Sequence, residues 1–269
     1  MTSLISWIGV DSRGAASAYF ASDSRITWSG ASVWDHGRKL FVCRRYPHIF
    51  AYCGEVLFPT QTLSQIIELI DSDLLISAID TVDSCAEKVT SIMESALKAY
   101  PMTARGKFDV LYCIREGEGL SSRFHLRRIT FDSAPSQPCV SSIGIPDRSG
   151  AVAILGSGSQ SLKKHLDQWT SSDVGGTSRA VFSAFCDSLQ SGADPHSGGP
   201  PQLLGLWRRS APQAFGIIWQ KHRYFYGLEV DSFENLSEVR WYNDLFEICD
   251  PKTLTRKPDA QPQPRPRGL

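Results

Sequence analysis

The apolar residues of this 269-residue chain fall into blocks that alternate strand-like runs with adjacent pairs of helical stripes, and few folds accept that order. Ser3–Val10 and Ala15–Ser22 flank the turn signal Asp11-Ser12-Arg13-Gly14 and predict a hairpin, and Leu40–Val42 with Ile49–Cys53 predict a second strand pair. Leu63, Ile66, Ile67, Ile70 and Leu74 then recur at helical spacing, as do Ala86, Val89, Met93, Leu97 and Tyr100, with Ser84-x-x-Glu87 read as a capping box and Pro101 as a stop. Strands are predicted again at Phe108–Arg115, Phe124–Phe131 and Ala151–Leu155. Two more amphipathic segments follow, through Leu162, Leu166 and Trp169, then through Ala180, Val181, Ala184, Phe185 and Leu189. Strands at Leu203–Arg208, Phe215–Trp219 and Tyr224–Val230 close the pattern. A strand block can bury its second face only against another sheet or a helix layer. The order of blocks fits an α+β fold, a four-layer αββα sandwich of two antiparallel sheets.

The predicted domain covers residues 2–249. From residue 250 to 269 the chain is rich in alternating prolines and poor in apolar side chains, which predicts an extended, disordered tail. Zero formal net charge gives no electrostatic footprint for nucleic acid or for an anionic membrane. No window approaches the roughly 18 apolar residues of a membrane span, and the first ten residues lack the basic start and apolar core of a secretory signal. A cytoplasmic location is expected. The seven cysteines contain no Cys-x-x-Cys and read as reduced thiols, and the six histidines show no ligand spacing, so neither a metal nor a cofactor is expected.

Five places carry candidate chemistry. A threonine at position 2, exposed by removal of Met1, would bring a hydroxyl nucleophile and a free amine on one residue. The amine suits a base, with an ordinary pKa near ~8. Lys39 would lower the cost of the developing alkoxide, and Asp23 would hold that ammonium, because an unpaired buried charge is costly. Gly54 ends an apolar run, where the missing Cβ lets a substrate approach the backbone. Gly156-Ser157-Gly158 joins an apolar run to a helical stripe, and Asp194-Pro195-His196-Ser197-Gly198-Gly199 reads as a strong turn. The glycines at 156–158 match neither nucleotide-binding pattern. His196 reads as a turn residue and Cys53 as a small buried hydrophobe.

Taken in order, Thr2, Ala21-x-Asp23-x-Arg25-x-Thr27, Lys39, Gly54, Gly156-Ser157-Gly158 and Asp194-x-x-Ser197-Gly198-Gly199 make the chain resemble the β-type subunits of the proteasome and their bacterial relatives, over about residues 2–230. These are threonine peptidases of the N-terminal nucleophile hydrolases. The resemblance implies the same αββα fold and amide hydrolysis through a Thr2 acyl-enzyme, with Asp23 orienting Lys39, the Gly54 N–H donating to the oxyanion, and Ser157, Asp194 and Ser197 setting the terminal amine. It implies that backbone near Thr27 pairs with an extended polypeptide substrate, and that Ile26, Gly37, Phe41, Tyr52 and Val56 shape an apolar first specificity pocket. It also implies a homo-oligomeric ring or stack and, as a further partner, an unfolding ATPase. The sequence departs from the family pattern in a longer first hairpin and a longer, more polar region 103–150. A scaffold subunit without activity, or an amidase of the same superfamily for small molecules, are the alternatives.

Overall fold

A computed structural model describes residues 2–28, 32–133, 137–232 and 234–266. It is an α+β structure with four helices and mainly antiparallel sheets. The first hairpin joins β1 (Leu4–Asp11) to β2 (Gly14–Ser22), and Asp11 closes its turn by accepting the Arg13 N–H at 2.8 Å. A short ribbon follows, β3 (Ile26–Thr27) with β4 (Val33–Trp34), then β5 (Leu40–Val42) and β6 (His48–Gly54). Helices α1 (Leu57–Asp71) and α2 (Val82–Ala99) precede β7 (Phe108–Glu116), β8 (Arg123–Phe131), β9 (Cys139–Ile143) and β10 (Gly150–Leu155). After α3 (Ser159–Thr170) and α4 (Ser178–Gln190) come β11 (Gln202–Trp207), β12 (Gln213–Trp219), β13 (His222–Phe225) and β14 (Leu228–Glu229). Three short strands complete the order, β15 (Trp241–Tyr242), β16 (Ile248–Asp250) and β17 (Thr255–Arg256).

The larger sheet runs β10-β1-β2-β11-β12-β15-β16-β17, with β13 and β14 branching from β12, and the smaller runs β5-β6-β7-β8-β9. Among the described residues every strand pair is antiparallel except β12 with β15. Three apolar cores separate the layers. Ile5, Trp7, Tyr19 and Leu203 of the larger sheet pack against Leu162, Trp169, Phe182 and Phe185 of α3 and α4. Phe50, Tyr52, Val110 and Tyr112 of the smaller sheet pack against Leu63, Ile66, Val89 and Met93 of α1 and α2. Between the sheets, Leu4, Phe20, Leu204 and Leu206 meet Leu40, Ile49, Leu111 and Leu126. Each such fully buried side chain contributes about 1.5–3 kcal/mol through area removed from water. The strand alternation explains the split, since successive residues of β1 serve opposite cores, Leu4 and Ile8 inward and Ile5 and Trp7 toward the helices.

Three expectations are corrected. Helix α2 starts earlier than the capping-box reading: Thr81 is its N-cap, and its hydroxyl accepts the Ser84 N–H at 3.2 Å. The run Tyr224–Val230 is not one strand. It folds back at Tyr226 and Gly227, both at positive φ, to make the β13–β14 hairpin. Finally, residues 250–266 are ordered against the body, contrary to the expected free tail. Prolines keep this stretch extended, but β17 pairs with β16, the Gln263 N–H donates to Glu247 at 2.7 Å, and Arg265 bridges Asp187 and Asp244.

His48 sits buried beneath this scaffold with its Nδ1 2.6 Å from the Tyr112 hydroxyl. Burial lowers its pKa from 6.5 to about 4. Because the folded value lies below the unfolded one, the unfolded chain takes the proton first. Stability is full above pH 6.5 and is lost as pH falls toward 4, by about 3 kcal/mol. Urea denaturation of wild type and His48→Gln across pH 7 to 4 checks this: the variant should lack that part of the acid slope, and an unchanged slope would assign it to other groups.

Candidate functional site

Antiparallel register gathers the candidate residues at one end of the larger sheet. Leu4 of β1 faces Ser22 of β2 on one side and Leu155 of β10 on the other, while Gln202 of β11 faces Ser22. The residues just beyond these ends are Thr2-Ser3, Asp23, Gly156-Ser157-Gly158 and the 194–199 turn. All four segments converge there because a strand that starts at one edge must lie beside a neighbour that ends there.

At the centre is a fully buried ion pair. Lys39 Nζ donates to Asp23 Oδ1 at 2.7 Å and to the Arg25 carbonyl at 2.6 Å. The same carboxylate accepts the N–H groups of Ser3 at 3.0 Å, Gly198 at 3.1 Å and Arg25 at 3.2 Å. Burial pushes the Lys39 ammonium below the ordinary lysine value, against the pull of Asp23. Burial likewise raises the Asp23 carboxyl, opposed by Lys39 and the backbone donors. Five donor contacts on two charges make such a pair tolerable away from water.

A second network also holds the Thr2-Ser3 segment. Ser3 Oγ donates to Ser197 Oγ at 2.9 Å, Ser197 donates to Asp194 Oδ2 at 2.7 Å, and Ser157 donates to that same oxygen at 2.7 Å. Burial pushes the Asp194 carboxyl up, but hydrogen bonds from Ser157, Ser197 and the His196 N–H outweigh it and hold the group below the usual carboxylate range. The Gly158 N–H approaches the Thr2 carbonyl at 3.4 Å. Thr2 itself is 1% exposed in a chain that carries Met1 before it. Met1 lies outside the described residues, and its expected removal concerns that position.

An open cleft of about 900 Å3 is lined by Ile26, Thr27, Gly37 and Val56, all expected at a substrate site, and by Gly54, expected as the oxyanion donor. Phe41 and Tyr52, expected in the same pocket, are instead fully buried in the core beneath α1. Strand alternation explains the correction: both side chains point to the helix-covered face of the smaller sheet. The Tyr52 hydroxyl is occupied by Arg38 and Thr60. Strand β3 pairs with β4 alone among the described strands, through Ile26↔Trp34 and Thr27↔Val33. The chain matches no family model and no curated protein. The site rests on its own geometry.

That geometry gives structural roles to residues for which the sequence suggested none. Gln202 is 1% exposed, accepts the Lys39 N–H at 3.1 Å through Oε1, and donates through Nε2 to Gly37 O at 2.7 Å and Ser24 Oγ at 2.9 Å. It ties the larger sheet to the start of β5. A glutamine opening the apolar run Gln202–Trp207 was the available signal. Arg25 grips Asp35 at 2.7 and 2.8 Å and the Pro195 carbonyl at 3.1 Å, fixing the 194–199 turn. A Cβ at Gly198 would lie 2.6 Å from the Arg25 guanidinium carbon, which explains a glycine there.

Burial pushes the Cys53 thiol up to about 12, consistent with an inert core residue beside Gly54. Among the described residues, no three His, Cys, Asp or Glu side chains cluster as a metal site, and no helix is long and apolar enough to cross a membrane.

Gly158 offers a direct test of the packing around Thr2-Ser3. A Cβ there would stand 1.9 Å from Ser3 Oγ, although its backbone conformation suits any residue. Gly158→Ala should cost about 1–3 kcal/mol by overpacking. In a Ser3→Ala background the cost should fall but not vanish, because the nearest clashing hydroxyl is gone while Ser197 Oγ still stands 2.9 Å from that Cβ. Denaturation of the two single variants and the double variant checks this, and full additivity would refute the contact.

Proposed function

We propose that the protein is an N-terminal-threonine amidohydrolase with the αββα fold of the N-terminal nucleophile hydrolases, and that it cleaves peptide bonds within a proteasome-like assembly. The observation that carries this reading is the buried Lys39–Asp23 pair, whose carboxylate also holds the Ser3 N–H, the peptide group immediately after Thr2. A merely structural strand start has no need of an ion pair that costs several kcal/mol to desolvate.

In this mechanism removal of Met1 frees the Thr2 amine, which takes the hydroxyl proton as Thr2 Oγ attacks a carbonyl carbon. Lys39 favours the developing alkoxide electrostatically, and Asp23 keeps Lys39 in place. The Gly54 N–H receives the oxyanion on the cleft wall, an effect of about 3 kcal/mol in comparable sites. The amine then returns its proton to the leaving nitrogen as the C–N bond breaks, leaving an ester on Thr2. Water, deprotonated by the same amine, hydrolyses that ester. Asp194 with Ser157 and Ser197 sets the amine, and the unpaired edge of β3 takes the substrate as an added strand.

Two experiments test the proposal. Intact-mass spectrometry should find the mature chain without Met1 and should add one equivalent of a peptide β-lactone to wild type and none to Thr2→Ala. Met1 retained on every active molecule, or equal labelling of Thr2→Ala, would remove Thr2 from the chemistry. A sequence-tolerant peptidase is safe in a cell when its sites are enclosed, and the proposal includes a closed ring or stack. Native mass spectrometry should find a homo-oligomer. A monomer that still cleaves peptides would favour the small-molecule amidase.

A further inference from the structure

The cleft that carries Thr27, Gly37 and Gly54 has a rim the sequence reading did not anticipate. Trp28 and Trp34 of the β3–β4 ribbon and Leu228 of the β13–β14 hairpin stand about half exposed around it, at 53%, 47% and 57%. Large apolar groups gathered at one opening mark a binding surface. Within the cleft lies one cation of unusual setting. The Arg38 guanidinium is held between two rings, 4.6 Å from the centre of Phe41 and 4.3 Å from that of Tyr226. Its Nε donates to the Leu40 carbonyl at 2.9 Å.

Among the described residues no carboxylate balances this charge. Among the described residues Arg38 takes part in no ion pair, and the groups that shift its pKa besides burial are Tyr226 and the like charge of Arg44. Glu55, which also lines the cleft, has both carboxylate oxygens committed to α1, accepting the N–H of Leu57 at 2.8 Å and of Phe58 at 3.0 Å. Asp35, on the same stretch of chain, is spent on Arg25. The guanidinium is thus oriented by stacking, partly stripped of water, and left without a counter-ion. A planar cation held this way is suited to a carboxylate.

We infer that the cleft selects peptide segments in which a large apolar side chain neighbours a carboxylate: the tryptophan and leucine rim takes the apolar group, and Arg38 takes the anion. This deepens the proposed peptidase function by naming its substrate class, and it rests on that reading only for the claim that the bound peptide is cleaved. Arg38 is a specificity residue here, not a member of the catalytic group.

The test measures binding apart from turnover. Thr2→Ala protein, which holds the cleft without the nucleophile, is titrated calorimetrically with acetyl-Phe-Glu-amide and acetyl-Glu-Phe-amide and with the matching glutamine peptides. At least one glutamate peptide should bind tenfold or more tightly than its glutamine counterpart, and 0.5 M salt should shrink that ratio. Arg38→Met in the same background, checked for folding by its denaturation midpoint, should bring the ratio to within twofold, and Trp34→Ala should weaken all four peptides together. Equal binding of glutamate and glutamine peptides in both orders, or a ratio that survives Arg38→Met, would overturn the inference. Should Arg38→Met fail to fold, the salt dependence of the ratio in the Thr2→Ala protein decides alone. Binding as expected with no cleavage by the processed wild-type protein would leave this site standing and reject the peptidase reading instead.

Discussion

The bond between Lys39 and Asp23 joins the two sheets at the point where the candidate chemistry lies. Lys39 precedes the first strand of the smaller sheet, and Asp23 follows the second strand of the larger one. Both side chains are wholly buried, so neither charge survives without the other. The surrounding contacts are consequences of that constraint. Asp23 gathers backbone donors from Ser3, Arg25 and Gly198, while Gln202 holds the Lys39 backbone and Gly37 in register. Loss of either charge would disturb four segments of chain that are far apart in sequence.

The two polar networks flanking Thr2-Ser3 differ in electrostatic character. Around Asp23 the environment is dry, and burial opposes both charges. Around Asp194 three hydrogen bonds prevail over a partial burial, so that carboxylate stays ionised over a wide pH range. A group beside Ser3 would meet a hydrogen-bonded hydroxyl–carboxylate chain and a mutually neutralised ion pair. Such an asymmetry is how one small site can orient a proton donor and still favour loss of that proton.

Much of this was legible in the chain because periodicity reports burial. The hairpin β1–β2, the four helices and the long strands follow directly from it, and the Asp-Ser-Arg, Lys39, Gly-Ser-Gly and 194–199 blocks are indeed brought to one place. What was not legible depends on contacts rather than on pattern. Leu74 continues the helical stripe of α1 but lies past its end and is 75% exposed. Phe41 of β5 and Tyr52 of β6 share a sheet face that only the packing of α1 defines as core. The ordered 250–266 stretch is apolar-poor, and it is held by Arg265, Arg179 and Glu247, partners that composition does not reveal. Strands of two residues, such as β3 and β4, are too short to carry a period.

The network around Ser3 also has a consequence in time. Ser3 Oγ meets Ser197 across 194 residues, and Asp23 meets the Gly198 N–H across 175. Contacts that distant are among the slowest a chain closes, since loop entropy must be overcome before they are rewarded. On a ribosome the first strands emerge long before their partners exist. A nascent chain that has not reached Gly198 holds the nucleophile candidate, the lysine and the aspartate, yet lacks the turn that packs against them, so the order of synthesis itself withholds the assembled site until the fourth helix and the turn after it have been made.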